Sequence, residues 1–165
     1  TLGGGITIAN GKIITNRTLE GSSYGLIGFN EDNTLVLLHN VTGESALEMG
    51  VRDAVTMAPF LIVNGKPAFT KGNGGWGYAA RTAIGQRKDG IVLFLVIDSN
   101  ATRTKGASMK DLVEIMQRYG AVNAANLDGG TSSAMVVEGT MINDPIDSVG
   151  RHRTRGIPTV FNVIP

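Results

Sequence analysis

Glycine content is the feature that most constrains how this chain can fold. The sequence holds 23 glycines among 165 residues, about twice the usual share of ~7%. Glycine tolerates positive φ and close approach of two backbones, so a glycine-rich chain with short apolar runs is typical of strands joined by tight turns. Apolar residues at 42% and charged residues at 18% exclude a disordered chain, and the length predicts one domain over residues 1–165.

Charge, hydropathy and cysteine content exclude several classes of function. The formal net charge is +1, so no overall field attracts nucleic acid. The longest apolar run, Ile91–Ile97, is too short for membrane insertion. The absence of cysteine excludes disulfides and thiolate chemistry. Neither the oligomeric state nor the compartment follows from these properties.

Turn residues between short apolar runs predict a series of β-hairpins. Asn10-Gly11, Asn64-Gly65 and Glu138-Gly139 each separate two runs that suit strands, and the polar residues 30–33 separate another two. The last apolar run, residues 160–164, predicts a closing strand.

Helical periodicity and one continuous apolar run complete the prediction. Ser45 has the position of a helix cap, which predicts a short helix over residues 46–54. A longer helix over residues 109–119 is predicted to face a sheet with four side chains, those of Leu112, Ile115, Met116 and Tyr119. Ile91–Ile97 is continuously apolar and predicts a central strand covered on both faces. The pattern indicates an α+β domain with mixed β-sheets built from hairpins and one or two packed helices.

Two acidic residues follow predicted strands. Asp98 ends the strand 91–97, a place where sheets often bind ligands, although Asp98-Ser99-Asn100 is also a good turn sequence. Asp128 lies in the segment 126–133, which combines a carboxylate with three hydroxyl side chains and two glycines. The glycines allow consecutive amide N–H groups to point at one anion, which predicts an anion nest beside Asp128.

Cationic and metal-binding alternatives remain open at this level. Arg81 follows a glycine-rich loop, and a basic run spans residues 151–155; such guanidinium groups suit phosphate, but exposed arginines are more often plain surface residues. His39 is isolated, so a structural role is favoured for it. Asp98, Asp128 and nearby carbonyls suit a hard cation, so calcium or another divalent ion is a possible cofactor with no assigned ligands.

Several blocks taken together resemble the phosphodiester glycosidase domain family. They are Arg-Thr-Ala-Ile-Gly (81–85), the strand ending in Asp98, the helix start at Gly106 and Asn-Leu-Asp-Gly-Gly-Thr-Ser (126–132), in the family order. Asn143-Asp-Pro145 and Arg155 also fit, and the match covers about residues 45–165. Thr131 stands where a third glycine is usual. The family's first strand block, of the form Asn-Gly-x-Phe, is expected to lie before Thr1.

The resemblance implies a hydrolase that cleaves the glycosidic bond of a sugar 1-phosphodiester, on an extracellular or cell-envelope glycan. Such a reaction needs donors and positive charge for the phosphate, and a carboxylate at the anomeric carbon. The resemblance implies catalytic roles for Asp128, Asp98 and Arg81. It implies substrate binding by Thr82, Asn126, Gly129, Gly130, Thr131, Ser132, Ser133, Asn143 and Arg155.

Three other functions compete with this one. A metal-dependent phosphodiesterase would cut the P–O bond instead of the C–O bond. A cell-surface glycan-binding module would keep the fold without turnover. An N-terminal nucleophile at Thr1 would need a base and an oxyanion site that the sequence does not otherwise supply.

Overall fold

The computed structural model describes residues 4–17, 24–100, 104–147 and 149–164, which leaves Thr1 outside the described residues. The first half forms a five-stranded sheet in the order β2-β1-β5-β3-β4. Its strands are β1 (Ile6–Ala9), β2 (Lys12–Asn16), β3 (Gly25–Asn30), β4 (Leu35–Leu38) and β5 (Val51–Met57). A short helix, α1 (Gly43–Glu48), connects β4 to β5.

The second half forms another five-stranded sheet, in the order β7-β6-β10-β8-β9. Its strands are β6 (Phe60–Val63), β7 (Lys66–Pro67), β8 (Arg81–Arg87), β9 (Val92–Ile97) and β10 (Ala121–Asn126). Helix α2 (Met109–Arg118) precedes β10, and a small hairpin of β11 (Val136–Val137) and β12 (Thr140–Met141) follows it. Within the described residues, neither helix has the length and apolar character needed to cross a bilayer.

Three apolar clusters stack these elements into four layers. The outer clusters lie between α1 and the first sheet and between α2 and the second sheet. The middle cluster joins the two sheets face to face, with Ile27 and Phe29 on one side and Phe60, Ile84 and Ala125 on the other. Both faces of each sheet are therefore covered, which explains why successive residues such as Ala83 and Ile84 are both buried.

The turn residues behave as their chemistry predicts. Asn10 and Gly11 have φ of 49° and 68°, and Asn64 and Gly65 have φ of 50° and 77°, the left-handed backbone of a two-residue hairpin turn. Each dipeptide joins two strands that pair antiparallel. The α+β class is confirmed. The sheets were expected to be mixed, but every strand pair among the described residues is antiparallel, because short turns join most neighbouring strands.

The first helix lies earlier than the sequence predicted. Thr42 is the N-cap, and Ser45 sits three residues inside, where each side chain accepts a hydrogen bond from the backbone N–H of the other. The helix ends at Glu48, and Gly50 with φ of 78° turns the chain into β5. The prediction of helix to residue 54 was wrong because β-branched residues follow this glycine and pair with two strands.

The second helix lies where the periodicity predicts it, but the set of side chains that it buries differs from the prediction. Leu112 and Met116 are buried against the sheet, as expected, whereas Ile115 is only half-buried and Tyr119 is 62% exposed. Tyr119 is the C-cap residue, and the buried face instead includes Met109 and Val113. The spacing 109, 112, 113 and 116 keeps the buried side chains on one side of the helix, whereas residue 119 lies beyond its last turn.

Two strand predictions were wrong. β9 is an edge strand, not a central one, and Phe94 in it is 40% exposed. A continuous apolar run cannot distinguish a central strand from an edge strand that a helix covers on one face. Residues 160–164 form no strand; Phe161 instead packs edge-on against Phe29, with ring centroids 6.0 Å apart.

Candidate active site

The ends of three neighbouring strands bring most of the candidate residues to one edge of the second sheet. β8 begins at Arg81, while its antiparallel neighbours β9 and β10 end at Ile97 and Asn126. The chain that follows β10 stays on this edge, because the Leu127 N–H donates to the Thr82 carbonyl at 2.8 Å. Residues far apart in sequence therefore meet at this site edge.

Asp128 and Arg155 form an ion pair on the site edge. Arg155 donates through Nη2 to Asp128 Oδ2 and through Nε to Ser132 Oγ. Its backbone N–H donates to the Thr131 carbonyl at 3.3 Å. Both charged side chains stay about half exposed, so a solute can reach them. The loop after β10 thus places a carboxylate, a hydroxyl and a guanidinium side by side.

The predicted anion nest is not formed. The Gly129 N–H donates to Asp128 Oδ1 at 3.0 Å, and the Gly130 N–H donates to the Ala80 carbonyl at 2.9 Å. Neither amide therefore points at a ligand. The role of Gly129 is steric, since a Cβ there would lie 2.7 Å from the Ala80 oxygen. The glycines let the loop pack closely on the start of β8.

Asp98 is held by the segment around Asn143. The Asn143 side chain donates to Asp98 Oδ1 at 2.7 Å and to the Ser133 carbonyl at 2.9 Å, and accepts from the Met135 N–H at 2.8 Å. The Asp144 N–H donates to the second Asp98 oxygen at 2.9 Å. Asn143 therefore positions Asp98 and the loop after the Ser132 turn, whereas the sequence indicated a direct role in substrate binding.

Arg81 points inward rather than at an open anion site. It is 6% exposed, and its guanidinium donates to three backbone carbonyls, those of Trp76, Gly77 and Ala107, at 3.0 to 3.1 Å. Burial lowers the pKa of Arg81 below its ordinary value. Arg81 therefore ties the glycine-rich loop to the site edge, a supporting role rather than the phosphate contact that the family resemblance implied.

Three of the predicted binding residues each have one buried side-chain polar atom without a hydrogen-bond partner among the described residues. The atoms are Thr82 Oγ1, Asn126 Oδ1 and Ser133 Oγ. The Asn126 Nδ2 group donates instead to the Ala58 carbonyl at 2.6 Å, next to the cis Ala58–Pro59 bond. These side chains lie beneath the surface at the site edge.

An open cavity of about 350 Å³ adjoins the Asp128–Arg155 pair. It is lined by Thr131, Asp147, Arg153, Thr154, Arg155 and Gly156. Its volume suits a small ligand. Asp147 accepts from Arg153 Nε at 2.8 Å, while both Nη groups of Arg153 have no partner among the described residues. The Arg151 backbone N–H, with the Arg153 and Arg151 side chains, holds the pKa of Asp147 far below its ordinary value.

The divalent-cation site considered from sequence does not fit this arrangement. Each Asp98 oxygen accepts a hydrogen bond from an N–H donor, and Asp128 is paired with Arg155. Within the described parts of the chain, no three His, Cys, Asp or Glu side chains converge to hold a metal ion.

Nothing in the local sequence pattern distinguishes Arg153 from the other arginines of the basic run or marks Asp147. Both lie in or beside the basic run at residues 151–155, and the alternation of arginines there was the only sequence signal. The Asp147 N–H donates to the Arg151 carbonyl at 2.9 Å, which holds the basic run beside Asp147.

The four-layer α+β fold is shared with a solved catalytic domain. A zebrafish structure described as N-acetylglucosamine-1-phosphodiester alpha-N-acetylglucosaminidase catalytic domain, auto-inhibited by pro-peptide, matches with a TM-score of 0.70 at 23% identity. The match covers 86% of this chain and 50% of that chain. At this identity the likeness shows the fold alone.

The phosphodiester glycosidase family model matches residues 2–164. The chain therefore belongs to the phosphodiester glycosidase family, which confirms the resemblance. The SPbeta prophage-derived uncharacterized protein YomE of Bacillus subtilis (strain 168) is 31% identical over 129 residues, 74% of this chain and 20% of that protein. N-acetylglucosamine-1-phosphodiester alpha-N-acetylglucosaminidase of Bos taurus is 36% identical over 69 residues, 42% of this chain and 13% of that protein. This chain thus spans a fifth or less of the length of these two relatives.

Proposed function

We propose that this chain hydrolyses a sugar 1-phosphodiester at its glycosidic bond. The observation that carries the proposal is the Asp128–Arg155 pair, whose arginine lines a cavity together with Arg153. Family membership and the activity for which the bovine relative is named support the reaction class.

The cationic side chains would hold the phosphate. Arg153 keeps both Nη groups without a partner among the described residues, and Arg155 keeps its Nη1 group. Guanidinium groups bind phosphate oxygens through paired N–H donors, and they stabilise the charge that develops on a leaving phosphate. The Thr131 side chain lines the same cavity and adds a hydroxyl donor.

Asp128 would act at the anomeric carbon. Its Oδ2 atom bonds to Arg155 in the free protein, so a phosphate that draws Arg155 away leaves this oxygen available. The carboxylate would take a proton from an attacking water, whose oxygen bonds to C1 as the C1–O bond breaks and the phosphate leaves with the bonding electrons. Each Asp98 oxygen accepts one hydrogen bond from residues 143–144, so Asp98 would contribute negative charge and structure rather than proton transfer.

Hydrolysis in ¹⁸O-labelled water tests the proposal. A model glycosyl phosphodiester is turned over by the purified protein, and mass spectrometry locates the label. We expect the label in the sugar hydroxyl at C1, and a kcat lowered by ~10²–10⁴ in Asp128→Asn. Label in the phosphate would instead show P–O cleavage by a phosphodiesterase, and binding without turnover would show a glycan-binding module.

The location and partners are proposed on the same basis. A glycan or sugar-phosphate substrate at the cell surface would place the protein outside the cell or in the cell envelope, with no nucleic-acid partner and no membrane insertion. The net charge of +1 supports the absence of a nucleic-acid partner. Fractionation of the cells that express the natural protein, followed by detection in each fraction, tests the location.

A further inference from the structure

A pair of exposed aromatic side chains stands on the glycine-rich loop before β8. Trp76, the only tryptophan in the sequence, is 42% exposed, and Tyr78 is 58% exposed. The ring contacts in the described structure are Phe29–Phe161 and His39–Phe60, so neither aromatic of the loop packs on another ring. Large exposed aromatic rings are costly to leave in water, and they concentrate at ligand-binding surfaces.

The loop that carries these rings is anchored at its base. The carbonyls of Trp76 and Gly77 accept from the buried Arg81 guanidinium, each at 3.0 Å. On the other side Gly74, with φ of 78°, passes so close to α2 that a Cβ there would lie 2.7 Å from Met109 Cβ. The loop backbone is therefore held while its aromatic side chains face solvent. A pre-ordered ring costs little entropy when a ligand stacks on it.

The anchored loop adjoins the loop of Asp128. The Ala80 carbonyl accepts from the Gly130 N–H at 2.9 Å and touches Gly129. Ala80 follows Tyr78 by two residues, a separation of at most ~7.6 Å between Cα atoms. The exposed aromatics and the Asp128 loop thus share one short backbone segment, within the span of a substrate that carries a sugar ring and a phosphate.

We propose that Trp76 and Tyr78 form a stacking platform for a pyranose ring of the substrate. A pyranose presents an apolar face of C–H groups and a rim of hydroxyls, which fits a flat aromatic surface with a polar edge. The indole N–H of Trp76 and the hydroxyl of Tyr78 supply that edge. The inference rests on the proposed sugar phosphodiester function, and it assigns the sugar to the aromatic loop and the phosphate to the arginines.

The single tryptophan makes the test direct. The full chain is titrated with the α-1-phosphates of glucose, mannose and N-acetylglucosamine, and separately with inorganic phosphate, by calorimetry and tryptophan fluorescence. We expect at least one sugar phosphate to change the Trp76 emission while inorganic phosphate leaves it unchanged. We expect Trp76→Ala to raise the Kd of that sugar phosphate roughly tenfold, with the Kd of inorganic phosphate unaltered.

Two further variants protect the test against misfolding. Trp76→Phe keeps a ring and should raise the Kd of the sugar phosphate less than about threefold while abolishing the fluorescence signal. Tyr119→Ala removes a ring of similar exposure at the far end of α2 and should bind as the wild type does. Three results would each overturn the platform. They are an unchanged Kd for the sugar phosphate in Trp76→Ala, an equal loss of affinity for the sugar phosphate and for inorganic phosphate, and no binding of any sugar phosphate.

The platform and the proposed reaction fail separately. Sugar binding that depends on Trp76, without hydrolysis of any glycosyl phosphodiester, would keep the platform and remove the reaction. Hydrolysis with a KM that Trp76→Ala leaves unaltered would keep the reaction and remove the platform.

Discussion

Replacement of Asn143 by alanine tests whether this side chain positions the site. The substitution removes three hydrogen bonds, to the Asp98 carboxylate, to the Ser133 carbonyl and from the Met135 N–H, at 2.7, 2.9 and 2.8 Å. It also leaves one Asp98 oxygen and one backbone N–H to find water. Both the stability of the protein and the orientation of Asp98 should therefore change.

The magnitude follows from the kinds of bond that are lost. A hydrogen bond to a charged group contributes about 1.5–3 kcal/mol and a neutral one about 0.5–1.5 kcal/mol. Asp98 and Asn143 are only half-buried, so water replaces part of this, and a net loss of about 2–4 kcal/mol is expected. For a domain of this size, ~1 kcal/mol shifts the Tm by about 2–4 °C, which predicts a fall of roughly 5–15 °C.

Thermal denaturation by circular dichroism measures this fall, and turnover of a glycosyl phosphodiester measures the effect on the site. Asn16→Ala is the matched control, because this exposed amide also makes two hydrogen bonds, with Glu44 and Gly43, but in the first sheet. Asn16→Ala should lower the stability by only about 0.5 kcal/mol, and its turnover should equal that of the wild type.

Asn143→Asp separates positioning from simple loss of packing. The new carboxylate would face Asp98, and two close carboxylates cannot both ionise without cost, so one pKa of the pair rises. A group whose pKa is raised in the folded state stabilises below its unfolded pKa and loses that contribution as the pH rises through the folded pKa. The difference in Tm between the wild type and Asn143→Asp should therefore be smaller at pH 4 than at pH 7. The positioning role would be refuted if Asn143→Ala had the Tm and turnover of the wild type. It would also be refuted if the Tm difference between the wild type and Asn143→Asp did not change with pH.

Three further predictions concern charged residues. Asp128→Asn should lower kcat by ~10²–10⁴ with a Tm close to that of the wild type, since the pair it breaks is exposed; normal turnover would remove Asp128 from the chemistry. Arg81→Lys should lower the Tm, because a compact ammonium cannot span the carbonyls that Nε and Nη2 of the guanidinium reach; an unchanged Tm would contradict this. Asp147 has a depressed pKa, so its contribution is complete above its unfolded pKa and is lost as the pH falls through the folded one. The Tm gap between wild type and Asp147→Asn should therefore narrow below about pH 4, and a gap constant from pH 7 to pH 2 would oppose that account.

Much of the local structure was predictable because its causes are local. The Asn-Gly dipeptides place two residues at positive φ, which few other pairs tolerate, so the turns at residues 10–11 and 64–65 follow from sequence. Helix α2 follows from the Ser108 cap, the apolar spacing and Gly120, all within one short segment. The concentration of polar groups at residues 126–133 also marked the edge where the candidate site lies.

What the sequence could not show depends on which elements pack together. The run at residues 91–97 is as apolar as a central strand, but it lies at an edge, because β10 takes the centre between β6 and β8. The amides of Gly129 and Gly130 were available in principle for an anion, but the start of β8 lies close enough to accept one of them. Such choices are made by tertiary contacts that no local pattern encodes.

The sequence by itself determined the family, the turns, the longer helix and the segment that carries Asp128. Only the tertiary structure decided the partners of the charged groups: Asn143 with Asp98 across 45 residues, and Arg155 with Asp128 across 27. The physical reason is range. Backbone propensity and side-chain periodicity act within a turn or two, whereas a hydrogen bond between distant segments exists only once sheets and helices have packed and brought the two groups within about 3 Å.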